Sequence, residues 1–461
     1  MFNNLGILLN TNFFNSIYLE KAISEIRIEQ HVDKITMPDN LKVGLMIAEQ
    51  RKKCDSGGCH EEYHALGFGQ SPFHVPPPLV QALSDNANQG HYSAAEGILE
   101  LREAIAGFNK RHFGLDIDPA RIVVGPGTKD LLNTIVNIIE GGVILPSPSW
   151  IGYRPQLNLQ GKHFHTFHLK PENDYRISPD DLDEFASQLE GNQHMMVINN
   201  PHNPTGVVYS KEELEKIVNV CRKHNILIIA DEIYALDTYD FLQFTSMGKI
   251  YPEGTFVTNG LSKDRSAGGY RLGSVILPTN SEKLQNDFKK VAATVYTNVS
   301  TPTQYAAITA YEPNEEIEEY INTTRQIHRI MGTYLSNEWN KVEGIKATTP
   351  QGAFYFYADF NELSGDLKRK GVATSNQLAE SLISCPHHIG VVTGDSNMLD
   401  PNNYGARIAF VDYDGKKTFD NYLQNPPKTT LDEIEFVKQN APMMVKSTTA
   451  LKKWVEFIKS D

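Results

Sequence analysis

The chain has 461 residues, 40% of them apolar and 21% charged, with a formal net charge of -13. That length exceeds what one hydrophobic core organises, so a large lobe and a smaller one are expected. The acidic balance argues against nucleic acid or an anionic membrane surface as the main partner, and no apolar run is long enough to span a membrane.

The N-terminus, "MFNNLGILLNTNFFNSIYLEK", lacks a basic start and does not read as a secretory signal. Four cysteines are too few for a disulfide scaffold in a chain of this size, which fits a reducing, cytoplasmic compartment. Residues 1–65 hold helical stretches without a strong sheet signal and are expected to join the smaller lobe. Within them Cys54, Cys59 and His60, followed by His64, are residue types that bind zinc, but no second pair of ligands follows. They read as a flexible loop with incidental ligands, and no metal is expected.

From Leu66 the texture changes. Short apolar runs recur at "RIVV", "GVIL", "HFHTFHL", "MMVIN", "ILIIA", "TFVT" and "GSVIL", separated in most cases by helix-like segments. Apolar residues on successive positions mark strands buried on both faces of a sheet. "SPDDLDEFASQLEG" and "SKEELEKIVNVCRKH" open with serine and carry an acid three residues on, which is helix-capping chemistry. Alternation of strand and helix predicts an α/β class: a large domain over 66–325 with a mostly parallel seven-stranded sheet flanked by helices. A smaller α+β domain is expected over 326–461, with a long helix at 313–341, the strands "AFYFYADF" and "RIAFVDYDG", and a final helix from Leu431.

In open parallel sheets ligands bind beyond the carboxyl ends of the strands. After "RIVV" comes "GPGTKDLL", where Gly127, Thr128 and Lys129 start a helix whose free amides suit a phosphate. After "GVIL", "PSPSW" brings Trp150 to the mouth of the sheet. After "MMVIN" comes the rigid turn "NPHNPTG" with Asn203. After "ILIIA", Asp231 opens "DEIY" at the edge of the buried sheet, where an unpaired carboxylate is expensive and calls for a cation. After "TFVT" comes Lys263, with Arg271 eight residues on. Singly, each has a bland structural reading. Together a phosphate cradle, an aromatic plate, an asparagine, a buried acid and an amine describe a site for pyridoxal 5′-phosphate.

"NNPHNPTG", "ADEIY", "SK" with "GGYRLG" and "ARIAF", in that order, make the chain resemble the class I/II aminotransferases, the fold-type I pyridoxal-phosphate enzymes. The resemblance runs from about Leu66 to Gly415. It implies a transaminase moving the amino group of an L-amino acid to a 2-oxo acid, with Lys263 as the Schiff-base lysine and Asp231 facing the ring nitrogen. Asn203 and Tyr234 would hydrogen-bond the ring oxygen, and Trp150 would stack on the ring. Ser262, Arg271 and the amides at Thr128 and Lys129 would hold the phosphate. Arg407, with Gly69, would bind the substrate carboxylate. Tyr92 matches the tyrosine that reaches a partner subunit's cofactor, so a homodimer with shared active sites is implied. The resemblance also implies cis peptide bonds at Ser147–Pro148 and Asn203–Pro204. Gly260 departs from the family's usual serine. A lyase or synthase of the same fold is the alternative, since "LSKD" resembles the cyclopropane-forming branch. A second basic residue for dicarboxylic substrates is sought among His202, Arg154 and Arg265.

Overall fold

The structure is a computed structural model that describes residue 29 and residues 32–35, 39–53, 61–239, 244–279 and 282–460. Cys54, Cys59 and His60 lie outside the described residues. The dominant element is a seven-stranded sheet built from β1 (Ile122–Gly125), β2 (Gly142–Ser147), β3 (Phe164–His168), β4 (His194–Asn199), β5 (Ile226–Asp231), β6 (Thr255–Gly260) and β7 (Gly273–Ile276). Their spatial order is β1-β7-β6-β5-β4-β2-β3. All pairs are parallel except the two made by β7, which runs antiparallel to both β1 and β6.

Alternate residues of each strand enter different cores, as the two-residue repeat of an extended chain requires. Ile144, Met196, Ile198, Ile228 and Val257 face one core. Val143, Leu145, Met195, Val197, Ile229 and Phe256 face the other, against the helices Thr128–Ile138 and Glu282–Val295. Burial on both sides explains the unbroken apolar runs. The edge strand β3 is only partly buried, which accounts for the polar His165, Thr166 and His168 within it.

The expected caps are present. Ser210 accepts from the Glu213 amide at 3.2 Å, and Glu213 accepts in return from the Ser210 amide at 2.7 Å, closing a capping box on Lys211–Lys223. Ser178 accepts from the Asp181 amide at the start of Pro179–Ser187.

Beyond the large sheet, the helix Glu315–Trp339 leads to a four-stranded antiparallel sheet of β8 (Lys346–Ala347), β9 (Tyr355–Asp359), β10 (Val392–Thr393) and β11 (Gly405–Ala409). The final helix expected from Leu431 is two helices, Thr430–Asn440 and Pro442–Lys459, because Pro442 cannot donate the backbone bond that would continue the first. The helix Asp39–Lys53 docks on this part of the chain. Ile47 is buried, and Arg51 forks onto Asp412 at 3.0 and 2.8 Å. The backbone then reaches Gly69 through His64–Ala65, which pairs in parallel with Ile389–Gly390.

Candidate active site

The carboxyl ends of β1, β2, β4, β5 and β6 open into one cavity of about 540 Å³. Its wall includes Thr128 and Lys129 after β1, Trp150 after β2, and Asn199 and Asn203 from β4 and its following turn. Asp231 and Tyr234 from β5, Ser262 and Lys263 after β6, and Arg271 and Gly69 complete that wall. Most of these residues sit at a strand's last position or a few positions past it, where the sheet stops covering them; Arg271 instead precedes β7, and Gly69 comes from the N-terminal segment.

Asp231 is the last residue of β5, in register with Asn199 on β4 and Thr258 on β6, and is 5% exposed. Burial pushes its carboxyl above the usual carboxylate range, while the Tyr153 hydroxyl, the Ile233 amide and the charge on Lys263 pull it back down. Tyr153 donates to Oδ2 at 2.7 Å. Asn199 is the joint between β5 and the proline-rich turn. Its Nδ2 donates to the Asp231 carbonyl at 2.8 Å, and its Oδ1 accepts from the Asn203 amide at 2.6 Å. Among X–Pro bonds, those before Pro148, Pro201 and Pro386 are cis. The asparaginyl step is thus Asn200–Pro201, one turn earlier than the expected Asn203–Pro204.

Lys263 lies three residues beyond β6, and its Nζ donates to the Gly69 carbonyl at 3.0 Å. It also sits 5.5 Å from the Tyr234 ring centroid and 5.3 Å from that of Phe354. Tyr355 donates to the same Gly69 oxygen at 3.2 Å and meets the Tyr234 hydroxyl at 3.0 Å. A side chain at position 69 would put its Cβ 2.0 Å from the Tyr355 hydroxyl, so only glycine lets this segment approach.

Opposite, Gly127 takes φ +89° and turns the chain into the helix Thr128–Ile138. The first amides of that helix have no acceptor within it and point outward. Arg271 reaches across the same turn. A Cβ on Gly127 would lie 2.3 Å from its Nη2, which donates to the Pro126 carbonyl at 3.2 Å. Lys129 Nζ sits 5.4 Å from the Trp150 ring centroid, and burial, then Arg271, lowers its pKa. The departure at Gly260 has a steric cause: Gly260 pairs with Gly273, and a Cβ there would meet the Leu272 carbonyl at 2.8 Å.

Three expected residues are off the wall of this cavity: Gly127, which turns the chain beside it, Arg407 and Tyr92. Arg407, on β11, is 1% exposed. It stacks on Tyr355 at 4.6 Å and donates to the Gly67 carbonyl at 2.6 Å and to Asn203 Oδ1 at 3.3 Å, with Nε unpaired. Tyr92 is 87% exposed on the surface. His202, Arg154 and Arg265 do not line the cavity either. His202 is buried against Thr205 with its pKa lowered by burial to about 4, and Arg265 is locked on Asp264 at 3.1 Å. Tyr153, Asn199 and Tyr355 escaped the sequence reading. A lone tyrosine in "WIGYRP" carries no pattern that sets it apart from core residues.

Comparison with known proteins agrees with this geometry. The family model for aminotransferase class I and II matches residues 62–410. An aspartate aminotransferase of Bacillus subtilis (strain 168) is 33% identical over 328 residues, 69% of this chain and 80% of the relative. Another, from Bacillus sp. (strain YM-2), is 32% identical over 359 residues, 76% of this chain and 88% of the relative. The solved aspartate aminotransferase of Thermus thermophilus with maleate superposes with a TM-score of 0.76 at 23% identity, over 93% of this chain and all of that one.

Proposed function

Because this chain belongs to the class I and II aminotransferases and is a transaminase, we propose that it holds pyridoxal 5′-phosphate in the cavity at the strand ends, with Lys263 as its covalent anchor. The observation that carries this reading is the meeting of an amine and a buried acid on one cavity whose far end is a glycine-opened helix start. The residues fit the group. Arg271, Ser262 and the first amides of Thr128–Ile138 make an anion cup, Trp150 offers a flat face, and Asp231 is a buried acid suited to a protonated ring nitrogen.

When bound, the cofactor supplies an aldehyde that takes up the substrate's amino group and a ring that spreads the charge left at Cα. The rest is done by side chains of this chain. Nζ of Lys263, released from the aldehyde, takes the proton from the substrate's Cα. Asp231 would hold a proton on the cofactor's ring nitrogen, and Tyr153 orients that carboxyl and opposes the upward push of burial on its pKa. Asn203 and the Tyr234 hydroxyl steady the ring oxygen. Arg407 takes the α-carboxylate of an L-amino acid with the planar fork that suits it, exchanging its bond to the Gly67 carbonyl for the substrate. Gly69 leaves room for that substrate. Tyr92, bare on the surface of one chain, completes the phosphate cup of a second copy in a homodimer.

The test is borohydride reduction of the holoenzyme followed by peptide mapping. A reduced pyridoxyl label on Lys263, absent from K263A, supports the reading; a label on another lysine, or none on a chain active in transamination, refutes it.

A further inference from the structure

We propose that Glu61, Cys385 and His388, none of which lines the cavity described above, form a zinc-class metal site beside the paired segments His64–Ala65 and Ile389–Gly390. Their ligand atoms all lie within 4.8 Å of one another, and they come from two distant parts of the chain. The Cys385 Sγ is 3.9 Å from Glu61 Oε1, and the His388 Nε2 is 3.3 Å from Glu61 Oε2. The backbone fixes this meeting. The His64 amide donates to the His388 carbonyl at 2.9 Å, and His64–Ala65 pairs in parallel with Ile389–Gly390 immediately afterwards.

The state of His388 points to a ligand. Its ring is 6% exposed and its Nδ1 lies 3.2 Å from the Ile383 carbonyl. A carbonyl only accepts, so Nδ1 carries a hydrogen, and Nε2 is the nitrogen turned toward the Glu61 carboxylate. That buried Nε2 makes no hydrogen bond. Nε2, the thiol and a carboxylate that accepts from the Tyr63 hydroxyl at 2.9 Å converge on one point, a donor set that suits a cation. The backbone bond on the far nitrogen is also the orienting contact that metal-bound histidines use.

The spacings suit a tetrahedral ion. Bonds of about 2.0–2.3 Å to O, N and S place nitrogen and oxygen ligands roughly 3.3 Å apart, and sulfur and oxygen ligands roughly 3.5 Å apart. The first matches the separation of His388 Nε2 from Glu61 Oε2; the Cys385 sulfur lies 3.9 Å from the other oxygen, Oε1, and rotation of this exposed cysteine brings it toward the same ion. A mixed thiolate, imidazole and carboxylate set favours zinc over calcium or magnesium, with water in the fourth position. On binding, the sulfur–metal bond forms as the Cys385 thiol loses its proton to solvent, so affinity rises with pH. The ion would rivet Glu61, at the start of the described segment that runs on to Gly69, to the loop carrying Cys385.

The experiment uses the full-length holoenzyme, stripped with a chelator and titrated with zinc chloride by calorimetry and with cobalt(II) chloride by absorbance. A saturable 1:1 site with a thiolate-to-cobalt charge-transfer band is expected, weakened about tenfold or more in C385S and in E61Q. Transaminase activity and circular dichroism report that both variants are folded. A C54S/C59S chain is expected to keep the site. Absence of a saturable site, or a site whose affinity and band are the same in C385S as in the parent chain, overturns the proposal. So does loss of the site in C54S/C59S while C385S retains it, and in that case the ligands lie elsewhere.

Discussion

The bond between Tyr153 and Asp231 offers a sharp test of how the acid is controlled. Asp231 is buried, and burial pushes its carboxyl pKa upward; the Tyr153 hydroxyl at 2.7 Å is the nearest side-chain donor opposing that. The Ile233 amide, at 3.4 Å from Oδ1, is a weaker contact. Tyr153→Phe removes one oxygen and leaves the ring packed in the same core. A hydrogen bond to a charged group contributes about 1.5–3 kcal/mol, and each 1.4 kcal/mol is a factor of ten in rate. The variant is therefore expected to lose roughly ten- to a hundredfold in kcat/KM, with the acid limb of the pH profile moving to higher pH because the carboxyl becomes harder to ionise. The assay is steady-state transfer between an amino acid and a 2-oxo acid across pH, with thermal unfolding as the control for folding. In a double-mutant cycle with Asp231→Asn, the loss from Tyr153→Phe is expected to vanish. A Tyr153→Phe enzyme within twofold of the parent, or a loss that persists in full in the Asp231→Asn background, refutes the argument.

Gly127→Ala places a Cβ at φ +89° and 2.3 Å from the Arg271 guanidinium, so cofactor affinity, read by spectroscopic titration of the apoenzyme, is expected to fall by about tenfold or more. Glu232, buried behind Asp231, has its pKa raised by burial from 4.5 to about 8. Its contribution to stability is full below 4.5 and is lost as pH rises toward 8. Glu232→Gln is expected to flatten that fall in urea unfolding between those limits, with an advantage of a few kcal/mol at the alkaline end; equal slopes would count against it. Arg407→Lys is expected to raise KM for the amino acid about tenfold or more with a smaller effect on kcat, because an ammonium cannot reproduce the planar fork.

The layered sheet was legible because its strands are buried on both faces, so "MMVIN" and "ILIIA" have no polar side to confuse them with a helix. Direction was not legible. Nothing in "GSVIL" says that it enters between β1 and β6 and runs against both, since apolar runs carry no arrow. At the cavity, the residues with unusual local sequence, Asp231, Asn203, Lys263 and Gly127, could be read one strand end at a time. Tyr153, Asn199 and Tyr355 could not, because each acts through a hydrogen bond to a residue far along the chain. Arg407 was identified from "ARIAF", but its stacking on Tyr355 depends on β9 and β11 pairing within the second sheet, and its bond to Gly67 on the segment after His64–Ala65 lying against that sheet.

The position of β7 has a consequence for how the molecule is made. β1 finds its neighbour only when Gly273–Ile276 has been synthesised, since Gly125 pairs with Gly273 and β7 separates β1 from β6. On a ribosome the earlier strand therefore waits for this partner through the translation of about a third of the chain. The cavity straddles that late seam, with Thr128 on one bank and Arg271 on the other, so a nascent chain closes its pocket only as its main sheet is sealed.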